Sequence, residues 1–169
     1  MKEFLTETWA RWSKWFTGWL HGGPHFVVGD PSNPYLRRWY IIPRNDWLCI
    51  YLHQFLRDDD DRALHDHPWH SLSFLVWGRY VEQTPTGKVD PATGEKLYLR
   101  RLYRMGSIKY RCAEYAHRIE LVDGRPTWTL FFTGTRVREW GFLCPAGWRH
   151  WKEFTKADSP GEVGKGCDG

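Results

Sequence analysis

Leu64-His65-Asp66-His67-Pro68-Trp69-His70-Ser71-Leu72-Ser73-Phe74-Leu75-Val76-Trp77-Gly78 joins a metal-ligand spacing to a strand-forming run in one short segment. Side chains alternate across a β-strand, so His65 and His67 fall on one face, about 7 Å apart along the chain. A third histidine, His117, follows at a spacing that suits convergence of all three on one ion. Beyond Pro68-Trp69 the residues are strongly apolar and β-prone, and Gly78 ends the run as a tight hairpin would. Carrying the parity forward puts Trp69, Ser71 and Ser73 on the histidine face. A turn at Gly78 then returns Tyr80 and Glu82 to the same interior.

The alternation of β-prone runs and turns continues in both directions. Arg38 to Ile42 and Trp47 to Phe55 read as a hairpin across Pro43-Arg44-Asn45-Asp46. Further strands are predicted at His67 to Trp77, Arg79 to Gln83, Lys96 to Tyr103, Ser107 to Tyr110, His117 to Val122, Thr127 to Thr133 and Glu139 to Leu143. A loop over Pro85 to Gly94 and a turn at Asp123-Gly124-Arg125-Pro126 interrupt them. Many short strands at such spacing predict an all-β jelly-roll, as a β-barrel or sandwich. Before it, Phe4, Leu5, Trp9, Trp12, Trp15, Phe16, Trp19 and Leu20 recur at helical period until Gly22-Gly23-Pro24 stops them. The organisation expected is a tryptophan-rich amphipathic helix over 1–24, a β domain over 25–156 and a disordered tail over 157–169.

The histidine pattern resembles the cupin superfamily. His65, His67 and Gly78 fall on the two histidines and the closing glycine of that family's first motif, and Gly106 and His117, eleven residues apart, on the first glycine and the histidine of its second. The departures are Asp59 at the opening glycine, Ser71 at the glutamate ligand, and Cys112, Glu114 and Leu121 at the second motif's proline, glycine and asparagine. The match covers about Tyr51 to Phe132. The chain also resembles uncharacterised cupin-like bacterial and phage proteins that share His65-Asp66-His67-Pro68-Trp69 and the segment from Arg138 to Trp148. The resemblance implies a cupin-type jelly roll, and Ser71 in place of glutamate implies one of the three-histidine cupins, which include iron-dependent thiol dioxygenases.

Composition bounds the alternatives. The 169 residues suit one domain with its own core. A net charge of +4, with both signs scattered along the chain, argues against a nucleic-acid partner. The cysteines at 49, 112, 144 and 167 show neither a C-x-x-C pair nor a disulfide-framework spacing, which leads us to expect a reducing, cytoplasmic setting. No apolar run approaches the roughly 18 residues a membrane span needs, and the mixed charge of the helix's polar face argues against membrane association. We expect the helix to pack on the sheet or on a partner subunit, which makes a homodimer plausible.

Neutral imidazole accepts several metals, so His65, His67 and His117 define a site without choosing its metal; the resemblance implies Fe(II) first, with Zn(II), which three histidines and water also suit, second. Glu82 stands as a fourth ligand, a general base or a rim residue paired with an arginine. Tyr80 and His53 are the other candidates for proton handling, and His53 stands also as a fourth nitrogen ligand or a hydrogen-bonded structural group. Asp66 should point away from the metal or orient a neighbour. Asp58 to Asp61 read as a solvated loop, because four adjacent carboxylates lack the spacing of a calcium loop. Arg100, Arg101, Arg104, Arg111 and Arg118 form a basic cluster, one of which could clamp a substrate carboxylate or phosphate. The function expected is a metal-dependent oxygenase acting on a small molecule. The alternatives are a non-catalytic ligand-binding or assembly module and an isomerase or epimerase.

Overall fold

A computed structural model describes residues 2–59, 63–156 and 162–168, with side chains from Glu7 onward. Helix α1 (Lys2–Leu20) precedes β1 (Phe26–Val28), β2 (Leu36–Tyr40), β3 (Cys49–Phe55), β4 (Leu64–His65), β5 (Ser71–Trp77) and β6 (Arg79–Val89). There follow β7 (Lys96–Arg104), β8 (Ile108–Arg111), β9 (Arg118–Leu121), β10 (Thr127–Thr133), β11 (Gly141–Cys144), β12 (Gly147–His150) and the short α2 (Trp151–Phe154).

All described strand pairs are antiparallel. They form a six-stranded sheet in the order β1-β2-β3-β10-β5-β8 and two three-stranded sheets, β12-β11-β4 and β7-β6-β9. The sheets do not close into a barrel, so the sandwich form of the expected jelly roll is the one adopted. Leu36, Phe55 and Leu75 from the large sheet pack against Tyr80, Tyr103, Ile119 and Leu121 from β7-β6-β9 in one buried cluster. Removing these side chains from water supplies the main driving force for bringing the two sheets together. A second cluster of Ala63, Phe142, Cys144 and Phe154 lies beneath α2 and the remaining sheet.

Period-two burial is followed where it matters most. In β3 Cys49, Tyr51, His53 and Phe55 are buried, and in β5 Ser71, Ser73 and Leu75 are buried. The hairpin at Gly78 returns Tyr80 and Glu82 to the interior as its spacing predicts. Gly78 has φ +92°, and a Cβ there would lie 2.7 Å from Thr127 Oγ1, so this turn admits no side chain.

The differences from expectation have local causes. The first half of the loop foreseen over Pro85 to Gly94 is strand, because β6 continues to Val89 opposite β7 through an irregular register after Pro85. Trp15 and Trp19 of α1 reach the sheet, both donating indole N–H bonds to the Tyr40 carbonyl, at 2.8 and 3.1 Å. Trp9, Trp12, Phe16 and Leu20 are exposed, since the apolar side chains are spread too widely round the helix for one contact to bury.

Of the tail, residues 157–161 and 169 lie outside the described residues. Residues 162–168 pack back on α2: Gly164 N and Gly166 N donate to the Phe154 carbonyl, and Cys167 forms a disulfide with Cys144. The reading that no disulfide forms is thereby corrected. The return of the chain across α2 creates this pair, which no sequence spacing announces, and the cysteines carry no argument for a reducing compartment. Among the described residues, no helix is long and apolar enough to cross a membrane.

Candidate metal centre

The backbone builds the histidine cluster. His65 and His117 face each other as an antiparallel bridge and exchange both backbone hydrogen bonds, each at 2.9 Å. His67 N donates to the Ala113 carbonyl at 3.1 Å, which fixes the second histidine against the same returning segment. Only His65 lies in a strand, since β4 ends there and Pro68, which lacks an N–H, leaves the ladder. The expected His-x-His strand is therefore a strand end followed by a turn. It still brings the imidazoles together: ring centroids lie 4.9 to 5.1 Å apart, and one potential ligand atom from each lies within 4.8 Å of the others.

Protonation favours ligation. Burial, reinforced by neighbouring cationic groups, holds His67 and His117 well below the ordinary imidazole pKa, so both rings are neutral near pH 7. The Tyr115 carbonyl accepts from His117 Nδ1 at 3.4 Å, leaving Nε2 of that ring unprotonated. Buried ring nitrogens of His65 (Nδ1) and His67 (Nε2) have no hydrogen-bond partner. A desolvated polar atom without a partner is costly, and a bound cation would remove that cost at both rings. Three converging imidazoles, with His67 and His117 held neutral, thus fit a divalent metal. Ser71, where the cupin pattern has glutamate, is buried with its hydroxyl unpartnered, and the described residues offer no carboxylate in the cluster.

Two acidic residues brace the cluster. Asp59, expected to be solvated, is buried: its Oδ2 accepts from Ile119 N at 2.7 Å and lies 3.8 Å from His65 Nδ1. Asp58 likewise accepts from Leu121 N, while Asp60 and Asp61 lie outside the described residues. Asp66 turns away from the histidines and is also buried. It accepts from Gly141 N at 2.7 Å, Trp148 Nε1 at 2.9 Å and Arg138 Nη1 at 2.5 Å. The segment from Arg138 to Trp148 thereby grips the loop that carries His65 and His67. The fourfold Asp run concealed Asp59, because its partner lies 60 residues away.

The three histidines line a cavity of about 550 Å³ walled by aromatic rings that include Trp69, Phe131, Trp140 and Phe142. Tyr80 and His53 line it as well. Glu82 is buried in an ion pair with Arg111, at 2.6 Å, so its arginine partner belongs to the interior instead of the rim. Arg111 also donates to the Tyr80 hydroxyl at 3.2 Å, and burial raises the pKa of that phenol. His53 accepts from Arg38 Nε at 2.9 Å and stacks on Phe131; burial keeps it neutral. Of the basic cluster only Arg111 reaches the cavity; Arg100 and Arg118 pair with Glu120, and Arg101 lies over Tyr103. Arg38 was not foreseen. Its sole sequence signal is a basic residue of inward parity in a predicted strand.

No protein-family model matches the chain, and no curated protein matches it. Solved structures do resemble it. A provisional mannose-6-phosphate isomerase from Ralstonia eutropha JMP134 is 19% identical over 64% of this chain and 89% of its own, with a TM-score of 0.48. The Fe(II) form of HppE is 13% identical over 64% of this chain, also with a TM-score of 0.48. This chain spans about half of HppE, 54% of its length. A conserved double-stranded β-helix protein of uncharacterised function from Klebsiella pneumoniae is 12% identical over 68% of this chain and 90% of its own, with a TM-score of 0.48. At these identities and TM-scores the likenesses transfer no activity.

Proposed function

We propose that the protein is a metal-dependent enzyme acting on a small molecule, an oxygenase using Fe(II) held by His65, His67 and His117, with Zn(II) as the second candidate metal. The observation that carries the reading is the convergence of three imidazoles, two of them with buried ring nitrogens that have no hydrogen-bond partner, at the wall of an aromatic cavity. His65, His67 and His117 would hold the Fe(II), which would supply Lewis acidity and redox chemistry toward dioxygen and a small molecule. The remaining roles fall to this chain's own side chains.

The aromatic walls exclude water and so strengthen every electrostatic interaction inside. Tyr80 keeps its proton, because burial opposes the phenolate, and its hydroxyl is the proton donor facing the cavity. Glu82 is a positioning residue: it holds Arg111, which in turn fixes the Tyr80 oxygen. His53, neutral and accepting from Arg38, orients that guanidinium and is not a fourth ligand.

The test is metal content by mass spectrometry on untagged protein purified without oxygen, beside the His65→Ala/His117→Ala variant. Near-stoichiometric iron lost in the variant, together with dioxygen uptake on screening small molecules, supports the proposal. Absence of bound metal, with no uptake of iron or zinc on reconstitution, overturns the ligand assignment and leaves a non-catalytic module as the reading.

A further inference from the structure

Arg38 and Arg111 both line the cavity, but their charges are treated differently. Arg111 is neutralised by Glu82. Arg38 has no ion pair with any described carboxylate, and its hydrogen bond goes from Nε to a neutral imidazole. The carboxylates that share the cavity are committed elsewhere, Asp59 to Ile119 N and Glu162 to Lys156. Arg44 lines the same cavity, also without an ion pair among the described residues, and lies close enough to Arg38 for the two cations to repel.

The Arg38 guanidinium is nevertheless held in place. Its central carbon lies 4.8 Å from the Tyr51 ring centroid and 6.0 Å from that of Phe26, while His53 accepts its Nε–H. Stacking on ring faces satisfies the flat sides of a guanidinium but not its terminal N–H groups, which are those that grip an oxyanion in bidentate fashion. A positioned cation without a counter-charge in an apolar cavity is costly unless an anion arrives to balance it. The surrounding rings include Phe55 and Phe131, which suit an apolar body attached to that anion.

We propose that Arg38 is the anion anchor of a substrate subsite, and that the cavity takes a small organic acid, a carboxylate or phosphonate on an apolar body. This deepens the function proposed above by naming the substrate class, and it rests on that reading only for the end of the molecule that reacts.

The test is calorimetric titration of the full chain, stripped of metal by chelation and again after reloading with zinc. The probes are phenylacetate, phenylphosphonate and the uncharged phenylacetamide. At least one anion is expected to bind metal-free protein at least tenfold more tightly than the amide. Arg38→Gln should remove that preference, and Arg38→Lys, which keeps the charge without the fork, should retain part of it. The two anions tell carboxylate from phosphonate recognition.

Zinc content is measured on every sample. Anion binding that depends on Arg38 in protein unable to take up zinc upholds this subsite while sinking the metal centre. Anion binding that appears only with zinc, or persists unchanged in Arg38→Gln, overturns the subsite, as does equal binding of acid and amide or no binding of either acid. The comparison of acid with amide on unaltered protein needs no variant, so misfolding of Arg38→Gln would not blunt it.

Discussion

Two walls of one cavity carry the same kind of group in opposite states. On the β6 and β8 side, Arg111 and Glu82 are 2% and 1% exposed and neutralise each other, with Tyr80 completing the set. On the β2 and β3 side, Arg38 leans on Tyr51 and His53 without an ion pair to any described carboxylate. A buried charge whose partner is built into the chain belongs to the fold. One whose partner is missing belongs to whatever enters the cavity. The same chemistry, an arginine among aromatic rings, therefore serves structure on one wall and recognition on the other.

The largest effect should come from unbalancing the closed wall. Glu82→Ala strands the Arg111 cation and should cost about 3–5 kcal/mol in urea unfolding. Arg38→Met, which removes an already unbalanced charge, should cost about 1 kcal/mol or less, the order of its one hydrogen bond. Equal losses would dissolve the distinction between the walls. The double variant Glu82→Leu/Arg111→Met sharpens the same point, since exchanging a whole buried pair for apolar groups should recover most of the Glu82→Ala loss.

Next in size is the support of the metal ligands that lie between the walls. Asp59→Asn keeps an acceptor for Ile119 N but removes the charge beside His65, so zinc affinity in a competitive chelator titration should fall by about tenfold or more. An unchanged affinity would restrict Asp59 to holding β9.

The smallest effect is a pH dependence of the open wall. His53 has its folded pKa held well below the ordinary 6.5, by burial first and then by Arg38. The unfolded chain therefore takes up the proton first, and metal-free protein should be fully stable above about pH 6.5 and lose stability as the pH falls from there. His67 and His117 add to the same loss. Replacing His53 by Gln, which still accepts from Arg38 but does not titrate, should make the decline between pH 6.5 and 5 shallower; an identical slope would show that His53 is protonated at no cost.

Much of this arrangement can be read along the chain. The inward alternation of Tyr51 with His53 and the return of Tyr80 and Glu82 across Gly78 follow from period two and one glycine turn, which are local rules, whereas the H-x-H pair is placed by the bridge to His117 and the bond to Ala113. Asp59, the partners of Asp66 and the Cys144–Cys167 disulfide were illegible because their meaning lies in groups brought from far along the chain: Ile119 N, the segment from Arg138 to Trp148, and the segment returning past α2. The tail beyond 157 read as polar and structureless, yet residues 162–168 gain their order from the Phe154 carbonyl and Cys144, neither of which composition can announce.

By itself the sequence determined an antiparallel β architecture and the inward facing of Tyr80 and Glu82, since alternation and turn chemistry act within a few residues. Only the tertiary structure decided which buried charges are balanced. Glu82 meets Arg111 across 29 residues while Arg38 meets a neutral ring, and electrostatic compensation depends on distance in space, which neighbours in sequence do not set.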